Sequence, residues 1–209
     1  MNADVNTVRL LGAAQVMVIV SFLITESLQA SAVGSGSISD ILVNIPKKLT
    51  LMRISGLAAL GQTLVIIALG VLYYVVFYEE YKIIAHVALG CFLLAAISSV
   101  VGKIGANALI PLSRDFAEAG APDPSYFQTL GDFLYNGVDK RGTELYALFI
   151  ALGFLLTTYL LYISRSIPRA ISIFGLVALC LFLIYQVLQL YERDFFPTAQ
   201  YLALPYVPY

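Results

Sequence analysis

Five stretches of about twenty residues, almost free of charge, constrain this chain more than any other feature. They run over 8–28, 54–77, 83–102, 145–163 and 170–190. An α-helix rises about 1.5 Å per residue and a bilayer's hydrocarbon core is about 30 Å thick, so each run is long enough to cross. The second, third and fifth hold no acid, lysine or arginine; Arg9, Glu26 and Glu144 fall only at the edges of the first and fourth. Spanning helices tolerate charge at their ends. Composition closes the alternative: 60% of the residues are hydrophobic and 12% charged, against roughly 45–50% and 25% in soluble domains. A water-soluble fold of 209 residues has too much surface to hide that apolar area. The expected class is all-α, a polytopic transmembrane bundle of about five spans with one or two amphipathic surface helices.

The spacing of the runs sets the topology. Connections 78–82 and 164–169 are short and force antiparallel neighbours. The other two are long. Residues 29–53 begin Ser/Gly-rich and become half-amphipathic at Ile38, Ile41, Leu42 and Ile45 before Lys47 and Lys48. Residues 103–144 read as an amphipathic loop, in which Asp123-Pro124-Ser125 is a helix start. Tyr126, Phe127, Leu130, Phe133 and Leu134 then follow at helical spacing, as in a helix lying on the membrane surface. The domain reading is therefore a helix bundle over 1–194 and an extended Pro/Tyr-rich strap over 195–209. Arg165 and Arg169 share a tight turn with no acid, which points to a cytoplasmic N-terminus in a cell (inner) membrane. Tryptophan is absent and Tyr is frequent near the ends of the runs, so tyrosine supplies the interfacial belt.

Ala88, Cys91, Ala95, Ser98 and Gly102 recur three and four apart in the third run and share one narrow face. Small residues let helices approach closely in lipid, so this run is expected at the centre of the bundle. Gly175, Ala178, Phe182, Gln186 and Gln189 form a comparable face on the fifth run; its two amides are expected to bond to a neighbouring helix, or else to line a solute path.

Ionisable residues at membrane depth are functional candidates. Glu26, Arg53, Lys103 and Glu144 come at ends of runs that share one membrane face, where two acids and two bases form a neutral cluster or snorkel separately. His86 is the only histidine; it is a candidate axial ligand for a haem or chlorophyll-type pigment, or simply an interface-facing side chain. Cys91 and Cys180 lie within apolar runs and read as packing residues. There is no nucleophile–base pair, metal-ligand spacing or phosphate-cradling loop, and no basic stripe for nucleic acid. The residues call for no enzyme and no resident cofactor, only for bound lipid. In the tail, Phe195, Phe196, Tyr201, Tyr206 and Tyr209 alternate with prolines, a pattern suited to a strap on a partner protein.

The turn Leu161-Tyr162-Ile163-Ser164-Arg165-Ser166-Ile167-Pro168-Arg169, continuing to Ile171, Ser172 and Gly175, resembles the bacterial membrane proteins grouped as domain of unknown function 4386. Asn44 followed by Leu51-Met52-Arg53, and Arg9-Leu10-Leu11-Gly12, are similar to that family as well. The resemblance implies a bacterial multi-pass membrane protein and supplies no substrate or catalytic residue. Two departures stand out: the third run lacks the family's Arg/Glu pair, carrying only His86, and the strap is an addition. Two functions are compatible with these readings. One is a non-catalytic accessory or scaffold subunit of a larger membrane complex, such as a bioenergetic one, with other membrane subunits as partners. The other is a small transporter or a protein that binds a lipophilic ligand.

Overall fold

The computed structural model describes residues 5–122 and 126–191. Among them the chain is helical, with no strand. The elements are α1 (Val5–Val33), α2 (Ile38–Lys47), α3 (Leu49–Phe77), α4 (Lys82–Glu118), α5 (Tyr126–Asp132), a π-helical segment (Phe133–Asp139), α6 (Lys140–Ile163) and α7 (Arg169–Tyr191). Five helical stretches are long and apolar enough to cross a membrane: Arg9–Val33, Leu49–Phe77, Lys82–Glu118, Tyr126–Ile163 and Arg169–Tyr191. Large apolar side chains are exposed along all of them, among them Val16, Leu57, Leu64, Ile97, Tyr159 and Val187. Patches this extensive are not left to water by a monomeric soluble protein. The chain is a multi-pass membrane protein.

Two of the stretches, Lys82–Glu118 and Tyr126–Ile163, extend far beyond their apolar runs. α4 does not end at Gly102 but continues to Glu118, 37 residues in all, or about 55 Å. Beyond Gly102, Ala106, Leu109, Leu112 and Phe116 keep helical spacing, and burying that stripe holds the extension helical. Pro111 lies within it and is exposed. The stretch expected to be a loop over 103–144 is thus largely helix. The notional helix start at Asp123-Pro124-Ser125 and the strap residues Phe195, Phe196, Tyr201, Tyr206 and Tyr209 lie outside the described residues.

The chain divides into two compact units. The first takes the described parts of Met1–Ala14, Ile66–Ala96 and Glu144–Tyr209. Its core is an aromatic knob. Phe92 of α4 is fully buried, stacked on Tyr73 at 6.0 Å and edge-on to Phe154 at 5.5 Å between centroids. Two glycines make room for it. A Cβ at Gly70 would stand 2.8 Å from the Phe92 Cβ, and one at Gly153 would stand 3.1 Å from its ring. Ala88 and Ala95 are buried on the same helix, with Cys91 half-buried. On α7 the Gln186 Nε2 donates to the Glu144 carbonyl of α6 at 3.4 Å, whereas Gln189 donates to Tyr185 within its own helix. Arg165 turns the chain between α6 and α7 at φ 56°, and the Ser166 amide bonds back to the Leu161 carbonyl.

The second unit comprises Gln15–Val65 and Ile97–Thr143. Its apolar core joins Val33, Leu42, Ile45, Met52, Leu109 and Phe116. α2 is well specified locally. Ser37 and Asp40 form a reciprocal capping box, which satisfies amides that a helix start leaves orphaned. Outside the membrane spans, the Ser37 hydroxyl and amide donate to Asp40 and hold its carboxyl below the usual carboxylate range. The carbonyls at the end of α1 are met from α2: Asn44 Nδ2 donates to Val33 and Lys48 Nζ to Ser31. Gly34, at φ 76°, leaves space for that Asn44 amide. α4 and α6 meet backbone to backbone at Gly102 and Gly142, where any Cβ on Gly142 would overlap Gly102.

Candidate functional site

The charged centre lies in the second unit. Lys103 projects from the middle of α4 with its side chain 12% exposed. Its ammonium donates to Glu26 Oε1 at 3.3 Å, to Asp139 Oδ1 at 3.5 Å, and to Gln29 Oε1. Gln29 in turn donates through Nε2 to the other oxygen of Asp139. All three ammonium protons therefore have acceptors, and the Gln29 amide bridges cation and anion. The Asp139 side chain is 3% exposed and that of Glu26 38%. The Asp139 pair is the deeply buried one. A buried ion pair survives only when its hydrogen bonds are completed, and here Gln29 completes them.

Sequence and structure agree on part of this centre. Of the four charges expected to cluster, Glu26 and Lys103 form an ion pair among the described residues. Lys103 is not at a helix end, because α4 runs on past it. Arg53 is exposed and has no ion pair among the described residues. Glu144 belongs to the other unit, where its carbonyl receives Gln186. Gln29 and Asp139 were not anticipated. Both could have been found by extending buried stripes. Val18, Thr25 and Gln29 fall at helical spacing on α1, and stepping back from Tyr146 through Gly142 on α6 lands on Asp139. In the sequence, residue 139 reads as part of the 103–144 loop, which hides that continuation.

His86 sits exposed near the start of α4. Its Nδ1 donates to the Lys82 carbonyl at 2.7 Å, and its Nε2 faces the Tyr74 hydroxyl at 3.4 Å. Its ring lies edge-on to Tyr74 and Tyr78. Of the small-residue face, Gly102 is buried and Ser98 half-buried in the second unit.

Beside the ion centre a cleft of about 390 Å³ lies along α3 and α4. α3 contributes Arg53, Gly56, Ala59 and Thr63 to its wall; α4 contributes Lys103 and Asn107. Leu57, Leu60, Val100 and Ile104 also line it and are themselves exposed. The lining is graded. Arg53, Lys103 and Asn107 make one end polar, whereas Ala59, Leu60 and Val100 are apolar. α3 passes close to Asn107 because position 56 is glycine: a Cβ there would lie 3.2 Å from the Asn107 Oδ1. Asn107 donates one amide proton to the Lys103 carbonyl at 2.9 Å, and its second proton is left for another acceptor. Chemically, this arrangement holds charge at one end of a cleft whose other lining is largely apolar. The two carboxylates are tied to Lys103 and Gln29, among the described residues, and not to a hydroxyl or thiol that they could activate.

The model of the family described as Domain of unknown function (DUF4386) matches residues 10–208. The chain belongs to this family. The match covers all five spans from Leu10 onward, and with them the ion centre and the cleft; it also runs through the tail to residue 208, so the tail belongs to the family's pattern and is not an addition to it. No curated protein and no solved structure matches the chain significantly.

Proposed function

We propose that this DUF4386 protein is a non-catalytic membrane protein that binds a lipophilic ligand in the α3/α4 cleft, with membrane lipid as its constant neighbour. The observation that carries the reading is the graded cleft, apolar along Leu60 and Val100 and cationic at Arg53. Ligand sites are concave, mostly apolar, and fix orientation with a few polar groups, and this cleft has that composition. The ion centre behind it serves as a rigid wall. Lys103 lines the cleft, and its three bonds to Glu26, Gln29 and Asp139 hold α1, α4 and the end of the π segment together. Photolysis of a neutral diazirine-bearing alkyl probe in membranes, followed by peptide mapping, tests this. Adducts should concentrate at Leu57, Leu60 and Ile104. Labelling spread evenly over every lipid-facing helix would overturn the reading.

A second reading rests on the tail. The aromatic and proline-rich residues Phe195–Tyr209 favour an accessory role in a larger membrane complex, with the tail strapped to another subunit. Deleting that segment and purifying the chain gently should release its membrane partners; unchanged co-purification would count against it. For orientation in a cell (inner) membrane, the acid-free Arg165/Arg169 turn favours a cytoplasmic N-terminus. Cysteines placed at Ser166 and Ser35 and probed with an impermeant maleimide should label from opposite sides, Ser35 from outside; the reverse pattern would refute it.

A further inference from the structure

The cleft's polar end specifies its ligand more narrowly, and this inference rests on the cleft being the binding site. We infer that the ligand is a single-chain amphiphile with a monoanionic head, a long-chain carboxylate, bound head-first at Arg53 and Asn107. Three observations carry it. First, Arg53 is the cleft's uncommitted cation: it has no hydrogen-bond or ion-pair partner among the described residues, while the Lys103 ammonium is fully engaged by Glu26, Gln29 and Asp139. Arg53 offers one unengaged positive charge, which favours a monoanion such as a carboxylate over a dianionic phosphate; the ion centre beside it sets one cation against two carboxylates and adds no positive charge to hold a second. The planar guanidinium fork also matches a carboxylate's two oxygens, and the spare proton of Asn107 adds a neutral donor beside it.

Second, the cleft has the right direction. Arg53 stands in the second turn of α3 and Thr63 ten residues further along, about 15 Å deeper. Lys103 is the first charge after the apolar run of α4, and Asn107 lies one turn beyond it. The polar end is therefore at the edge of the apolar zone and the other end within it, as for an amphiphile held between headgroup and hydrocarbon levels. Third, about 390 Å³ is near the small end of ligand sites, roughly 300–1,000 Å³, which suits one chain better than two.

The full chain, purified in neutral detergent, is titrated with dodecanoate, dodecanol and phosphatidylglycerol, and adducts retained on the intact protein are read by native mass spectrometry. Dodecanoate should bind about tenfold or more tightly than dodecanol, the scale of a charge-assisted hydrogen bond. Arg53→Gln should bring dodecanoate down to the level of dodecanol and leave dodecanol unchanged; Arg53 is exposed, so the fold should tolerate the change. Leu60→Trp, at an exposed lining position, should weaken both. Equal binding of acid and alcohol, or indifference to Arg53→Gln, overturns the anionic head, while a surviving Leu60→Trp effect would still locate a lipophilic ligand in the cleft. If Leu60→Trp alters neither ligand, the cleft reading itself fails. Displacement of dodecanoate by equimolar phosphatidylglycerol overturns the single chain in favour of a two-chain lipid.

Discussion

Phe92 and Lys103 stand about three turns apart on α4, and the protein packs them by opposite means. Around Phe92 the contacts are shape alone: two glycines clear a socket and Tyr73 and Phe154 close it. Around Lys103 the contacts are charge and hydrogen bonds, with Glu26, Gln29 and Asp139 as its partners. Lipid tails are as apolar as leucine, so neither region gains from the hydrophobic effect that drives a soluble core. A socket tolerates small errors of fit in proportion to their size. An ion cluster does not, because losing one member strands the others in a medium that cannot solvate them.

That contrast can be broken by substitution. The largest effect is expected for Lys103→Met, which leaves Asp139 buried without its cation and should cost about 3–5 kcal/mol. The partly exposed Glu26 contributes less. Adding Asp139→Asn to that variant should recover much of the loss, as read by unfolding in mixed micelles; a double variant no better than the single would mean that charge is not what holds this region. Phe92→Ala comes next, near the lower end of about 3–5 kcal/mol because Tyr73 and Phe154 can lean into the space. No neutralising partner should rescue it, and its unfolding should be insensitive to salt. Gly142→Ala should cost about 1–3 kcal/mol by pushing α6 off Gly102, measurable in the same assay; a neutral result would show that the two backbones do not touch.

Two smaller effects sharpen the picture. Ser172 Oγ is buried with no partner among the described residues, so Ser172→Ala should stabilise the protein by up to about 1 kcal/mol by removing an unsatisfied hydroxyl. Destabilisation would reveal a partner for it. The α2 cap is the weakest test. The Asp40 carboxyl is held below its unfolded value, near pH 4, by the Ser37 hydroxyl and amide. A depressed carboxylate stabilises the fold above that unfolded value, and its contribution is lost as pH falls through the lower folded one. Hydrogen exchange at the first amides of α2 should therefore accelerate as pH drops below about 4 after correction for intrinsic rates. Ser37→Ala should erase that dependence, and a dependence that persisted would assign it elsewhere.

Much of the fold was legible because lipid asks simple questions of a sequence. The runs at 54–77, 83–102 and 170–190 could only be spans, and the short turns at 78–82 and 164–169 followed from their spacing. The Leu161–Gly175 stretch was enough to point to the family that the comparison then showed. The ion centre was half legible. Glu26 and Lys103 stood out as charges beside apolar runs, whereas Gln29 is uncharged and Asp139 sits among Asp132, Lys140 and Arg141, in what reads as an ordinary polar loop.

Sequence alone determined the solvent of this protein and the number of its crossings, because apolar length and missing charge leave no other way to satisfy the backbone. Tertiary structure decided which polar groups meet. The overrun of α4 past Gly102 moved Lys103 from a helix end to a helix interior, and Asp139 ends a π segment whose wider turns alter the rotation at which α6 begins. Such pairings depend on the rotation and register of helices far apart in the chain, and a stripe within one helix marks a candidate without fixing its partner. The same holds for Arg53. Its charge is visible in the sequence, but only the packing of α3 on α4 leaves it beside a cleft with no partner among the described residues.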